Sequence, residues 1–110
     1  MNKTPLIVVS LDALGYCDEE IYTKLPFLSK MIEKGTWIRR LESVYPTLTY
    51  AIHSSIVTGR YPIEHGVDNN LLVQPEREVM DWYWDHSYIS GDTIFRNAHQ
   101  KGYTISAFSW

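Results

Sequence analysis

Two rhythms of apolar and polar positions alternate along this chain, one close to continuous or period two and one close to the 3.6-residue period of a helix. Pro5-Leu6-Ile7-Val8-Val9-Ser10-Leu11 is an almost unbroken apolar run rich in β-branched residues, which predicts a strand buried on both faces of a parallel sheet. Phe27, Leu28, Met31 and Ile32 then recur at one-sided helical spacing, with Pro26 at the start and Gly35 just past the end, so 26–34 is expected to be a helix. Residues 36–45 alternate loosely up to Pro46 and read as a second strand. Residues 49–58 read as a helix closed by Gly59, with Ile52, Ser55 and Ile56 on one face. From Tyr61 to Ser90 little periodicity remains, which predicts a long loop with one short element, and loops of that length are usually functional. Asp92 is the expected cap of a helix running to about Lys101, with Ile94, Phe95 and Ala98 inward and Gly102 at its end. Residues 103–110 alternate again as a strand.

The predicted order is strand, helix, strand, helix, long loop, helix, strand, the signature of a layered α/β fold with a mostly parallel sheet flanked by helices. Its last strand would leave a sheet face and edge uncovered, so the expectation is part of a larger domain. With 110 residues, 45% hydrophobic and 21% charged, the chain has the make-up of a single domain. A formal charge of -3 offers no basic surplus for gripping a nucleic-acid duplex. Cys17, the only cysteine, rules out an internal disulfide and reads as an ordinary thiol in an acidic setting beside Asp18 and Glu19. The apolar run after Lys3 is too short for a secretory leader or a membrane span, so a cytoplasmic location is expected unless a leader has been removed.

Ligands of open α/β sheets collect outside the carboxyl ends of the strands, which draws attention to Asp12. It reads either as a hard oxygen ligand for a divalent cation or as a turn residue bonded to nearby amides. Leu14 stands where a haloacid dehalogenase type site would place its second acid. The segment from Val44 to Val67 carries more information. Its Pro46-Thr47-Leu48-Thr49, Thr58-Gly59-Arg60-Tyr61-Pro62 and His65-Gly66-Val67 resemble the Pro-Thr-x-Thr, Thr-Gly-x-x-Pro and His-Gly-(Ile/Val) elements of the type I phosphodiesterase/nucleotide pyrophosphatase family of the alkaline phosphatase superfamily. The final Gly102–Trp110 segment also resembles that family's next strand.

The resemblance implies that 1–110 is the N-terminal portion of one catalytic domain with an alkaline phosphatase-like layered α/β fold, incomplete in this chain. It implies Thr49 as the nucleophile, Asn70 as donor to a non-bridging phosphoryl oxygen, and Asp12 with Thr49 as ligands to one of two divalent cations, zinc in type. Asn69 competes with Asn70 if the register slips by one, and either could be a plain turn residue. A threonine hydroxyl is a poor nucleophile at neutral pH, and a cation stabilises its alkoxide, so the pairing is chemically coherent. Thr49 could also be only the cap of its helix. The family's remaining ligands, an Asp-x-x-x-His, an Asp-His and a later histidine, are expected after Trp110, so the chain alone is expected to be inactive. The implied partner is a small-molecule phosphodiester or nucleotide. Ala13 and Leu14 depart from the glycine and basic residue that often follow the aspartate.

Asp81-Trp82-Tyr83-Trp84-Asp85-His86 holds carboxylates four apart and an Asp-His pair, but it comes too early for the family's ligands and reads as a packing or substrate-contact strip. His53 and His65 read as orienting or structural residues, and His99 as a surface one. Within the superfamily a phosphomonoesterase, phosphonate hydrolase or mutase is the alternative, while a sulfatase lacks its Cys/Ser-x-Pro-x-Arg segment here. From another class, a non-catalytic α/β binding module would use Trp82-Tyr83-Trp84 as a partner-facing patch.

Overall fold

The computed structural model describes residues 4–108, in two units: one up to Leu41 and one from Glu42 onward. In the first unit a 3-10 helix at Tyr16–Asp18 leads into α1 (Glu19–Tyr22), and α2 (Pro26–Lys34) follows after a three-residue turn. Pro26 opens α2 because the first turn has no use for the N–H that proline lacks, and Gly35 closes it, as its sequence pattern predicts. The Gly15 N–H donates to Asp18 Oδ2 at 2.9 Å, and Arg39 pairs with Glu19 at 2.9 Å. Cys17 is an exposed free thiol.

The second unit is built on α3 (Thr49–Thr58), α4 (Pro62–His65) and α5 (Ile94–Gln100), with a 3-10 helix at His86–Tyr88 between the last two. Both α4 and α5 pack against α3. Its core is Ala51, Val57 and Val67, joined by the buried polar Ser54 and His65. Leu71 and Trp82 form an isolated antiparallel bridge, flanked by Leu72 N–H to Asp81 O at 2.8 Å and Tyr83 N–H to Asn70 O at 3.4 Å. The expected long loop therefore holds a short helix, a bridge and a 3-10 turn.

Four sequence expectations are corrected. The mostly parallel sheet is absent among the described residues: 5–11, 36–45 and 103–108 carry no ladder, and Ser109 and Trp110 lie outside the described residues. The apolar pattern records a demand for burial, and a parallel strand meets it only when neighbouring strands and helices cover both faces. Here Leu6 is 80% exposed and Ile7 83%, so that covering is not supplied by the described residues. The buried face of α3 is Ala51, Ser54 and Val57, one position round from the predicted one, and Ile56 stays exposed. Thr93, not Asp92, caps α5, its Oγ1 accepting from Arg96 N at 3.3 Å, while Asp92 pairs with the Arg96 guanidinium at 3.2 Å. Ile94, expected inward, is exposed.

Candidate active site

Thr49 is the first residue of α3 and is exposed; the cap position belongs to Leu48, whose extended backbone (φ −107°, ψ 146°) turns the chain into the helix. The reading of Thr49 as the N-cap is thereby corrected. A leucine has no oxygen to offer, and no side-chain cap bond forms at Leu48. The first amides of a helix lack intrahelical partners, so relief must come from elsewhere. It comes from Asn70, whose Oδ1 accepts the Tyr50 N–H at 3.1 Å. Because a backbone N–H only donates, the atom facing it must be the amide carbonyl, which leaves Nδ2 as the group Asn70 can offer to a ligand. Asn69 instead accepts from the Asn70 N–H at 2.7 Å, so the two asparagines that compete in sequence have different tasks in the fold. The Tyr45–Pro46 peptide preceding this turn is cis.

One turn into α3, His53 Nδ1 lies 2.8 Å from Thr49 O. A carbonyl only accepts, so the ring proton sits on Nδ1. Behind the helix, His65 is fully buried. Its Nδ1 accepts from Val67 N–H at 3.2 Å, so its proton lies on Nε2, which donates to Ser55 Oγ at 2.9 Å. Burial pushes the His65 imidazole below its ordinary pKa, and with both nitrogens engaged it is a structural residue, as its sequence context predicts.

The glycines of the matched segment have a backbone reason. Gly59 (φ 67°) ends α3 and Gly66 (φ 81°) ends α4, each in left-handed geometry, with N–H bonds of 2.8 Å to Ser55 O and Pro62 O. The pair turns the chain twice within eight residues, which returns His65 and Val67 to α3. Gly66→Ala is expected to destabilise the second unit by about 1 kcal/mol, read as a lower urea midpoint with an unchanged slope. An unchanged midpoint would remove this account of the glycine.

The Tyr50 and Trp82 rings lie 5.8 Å apart, and Trp82 meets Trp84 at 6.2 Å, an exposed aromatic strip next to the start of α3. Its flanking acids are occupied. Asp81 Oδ2 accepts from Gln74 Nε2 at 3.2 Å and from Arg77. Asp85 caps the 3-10 turn, where the Ser87 amide, followed by the Ser87 hydroxyl, holds its carboxyl below the usual carboxylate range. The segment is extended rather than helical, so four residues carry the chain about 13 Å and the two carboxylates do not meet across one helical turn. His99 is exposed at the end of α5.

Asp12 lies in the first unit, exposed, with its Oδ1 accepting from Ala13 N at 2.9 Å, and Ala13 holds a left-handed φ of 60°. Asp12 and Thr49 offer a carboxylate and a hydroxyl, oxygen donors suited to a divalent cation. A zinc site takes about four ligands, and among the described residues no three His, Cys, Asp or Glu side chains converge. The described residues do not make a metal site by themselves. The sequence missed the Tyr50 amide and the His53 ring as partners around Thr49; only the four-residue spacing from Thr49 to His53 announces a shared helical face.

Residues 6–110 match the family of type I phosphodiesterase / nucleotide pyrophosphatase, and the chain belongs to it. Among its relatives, ectonucleotide pyrophosphatase/phosphodiesterase family member 1 of Homo sapiens is 32% identical over 120 residues, covering 96% of this chain and 12% of that protein. A venom phosphodiesterase of Macrovipera lebetinus is 40% identical over 122 residues, covering 99% of this chain and 14% of that protein. Family member 3 of Rattus norvegicus is 29% identical, covering 99% and 13%. The chain thus spans a small part of the length of these relatives. Family membership implies an alkaline phosphatase-like α/β fold, of which the described residues form the helices and turns but not the sheet. No helix among the described residues is long and apolar enough to cross a membrane.

Proposed function

We propose that this chain is the N-terminal portion of one catalytic α/β domain that hydrolyses phosphodiester or pyrophosphate bonds, with a nucleotide or a related small molecule as substrate. Thr49 is the nucleophile and forms the covalent intermediate; Asn70 donates from Nδ2 to a non-bridging oxygen of the phosphoryl group. The observation that carries this reading is the bond from Tyr50 N–H to Asn70 Oδ1, which ties the asparagine to the first turn of the helix that Thr49 begins. Thr49 is exposed there, at the positive end of the helix dipole, which favours an anionic group.

Two divalent cations, zinc in type, belong to the proposed complete enzyme, with Asp12 and Thr49 as ligands to one and the other ligands supplied from outside this segment. Bound there, a cation stabilises the alkoxide form of a hydroxyl. The 110-residue chain is accordingly proposed to be inactive alone.

The test replaces the matching segment of the Macrovipera lebetinus venom phosphodiesterase with residues 6–110 and measures zinc-dependent release of p-nitrophenol from bis(p-nitrophenyl) phosphate. Turnover by the graft is the expected result. A graft that folds, binds zinc and releases no product would end the reading.

A further inference from the structure

The peptide unit that joins Thr49 to Tyr50 is held at both edges by side chains. Its N–H donates to Asn70 Oδ1 at 3.1 Å, and its carbonyl accepts from His53 Nδ1 at 2.8 Å. That carbonyl also takes the backbone N–H of His53 in the regular helical ladder, so the ring adds a second donor to it. Neither contact is what a helix start ordinarily uses. A side-chain cap from the preceding residue would steady the first turn, and Leu48 cannot provide one.

We propose that His53 and Asn70 form a clamp on the Thr49–Tyr50 peptide, which makes His53 a positioning residue for the nucleophile. This inference rests on the reading of Thr49 given above. The direction of the Thr49 Cα–Cβ bond follows from the peptide planes on either side of it. Fixing one of those planes at both its donor and its acceptor removes the rocking that a frayed first turn allows. The clamp also orients Asn70: with Oδ1 committed to the Tyr50 amide, Nδ2 is the group left to donate. One pair of contacts thereby couples the orientation of the nucleophile to that of its oxygen donor. His53 itself touches no reacting atom in this account; it acts through the backbone.

The tautomer gives the clamp a signature. A solvated neutral histidine side chain favours the proton on Nε2, whereas the bond to Thr49 O requires Nδ1–H. In the venom-enzyme graft, ring nitrogen-15 shifts of His53 at a pH where imidazole is neutral are expected to report the Nδ1–H tautomer. The Tyr50 amide is expected to lose its hydrogen-exchange protection in Asn70→Ala. An Nε2–H tautomer, or a Tyr50 amide indifferent to Asn70, would overturn the clamp.

Kinetics in the venom-enzyme graft separate the clamp from the reading beneath it. His53→Ala is expected to lower kcat about 10- to 100-fold with KM within about twofold, because displacement of a reacting group by fractions of an ångström is felt in the chemical step. His53→Asn, whose amide nitrogen falls near the place of Nδ1, is expected to restore most of the loss. If His53→Ala keeps the parent kcat, or if asparagine rescues nothing, the clamp falls while an inactive Thr49→Ala keeps the nucleophile reading standing. If Thr49→Ala remains active, both fall together.

Discussion

Thr49→Ala in the grafted enzyme is expected to reduce kcat for bis(p-nitrophenyl) phosphate by about 10⁴-fold or more, the scale on which loss of a covalent nucleophile is felt. The same substitution is expected to leave stability within about 0.5 kcal/mol of the parent, since Thr49 is exposed and does not cap its helix. This pairing of outcomes is what makes the experiment decisive. Were Thr49 the cap, its removal would cost about 1 kcal/mol and the helix start would loosen, so lost activity would have a structural explanation. With Leu48 in the cap position and Asn70 relieving the Tyr50 amide, the backbone of the first turn is held without the Thr49 hydroxyl. Thr49→Ser, which keeps the hydroxyl and loses only the methyl, is expected to retain turnover. A Thr49→Ala graft that still forms product would show that phosphorus is attacked by something else.

His65→Ala is expected to be the most destabilising single change in the second unit, at about 3 kcal/mol. It opens a cavity at a fully buried site and strips partners from Ser55 and from the Val67 amide. The loss is to be read as a collapse of the cooperative urea transition. His65 also fixes the sign of an acid effect. Its folded pKa lies below the ordinary value because burial disfavours the imidazolium, so the unfolded chain takes up a proton that the folded chain resists. Above the unfolded pKa of about 6.5 this difference contributes nothing; as pH falls through that value stability declines, and it levels off below the folded pKa. Urea midpoints followed from about pH 8 to pH 5 are expected to drop on the acid side in the parent. His65→Gln, an uncharged replacement of similar reach, is expected to lose that drop. A parent whose midpoint rises on acidification would contradict the burial of a neutral ring.

The helices were legible because their signals are local. Pro26 and Gly35 bracket α2, and Gly59 ends α3, each through a conformational preference that its own residue carries. The strands were not, because Leu6 to Val9 state only that they need burial, and what buries them is a matter of other segments. The face of α3 was misplaced by one position for a related reason: hydrophobic size favoured Ile52 and Ile56, while the buried side is set by where α4 and α5 pack, which the helix's own residues do not record. At the site, Thr49 and Asn70 were reached through the resemblance of the 44–67 segment and the asparagine that follows it. The bond between Asn70 and the Tyr50 amide lay beyond sequence reading, since a separation of twenty positions and a bridge at Leu71 and Trp82 decide whether it forms. Asp92 and Thr93 illustrate the smallest error of this kind, two adjacent cap-forming residues between which only backbone geometry chooses.

That separation of twenty residues also bears on when the setting of the proposed nucleophile comes into being. A helix of 10 residues is too short to persist alone in water, so α3 in a nascent or unfolded chain is a fleeting structure. Closing the loop from Tyr50 to Asn70 has an entropic cost that tertiary contacts such as the packing of α4 against α3 and the burial of His65 offset. The first turn of α3 therefore gains its support late and all at once, together with the loop. During synthesis, the ordered start of the helix has to wait until Asn70 has left the ribosome.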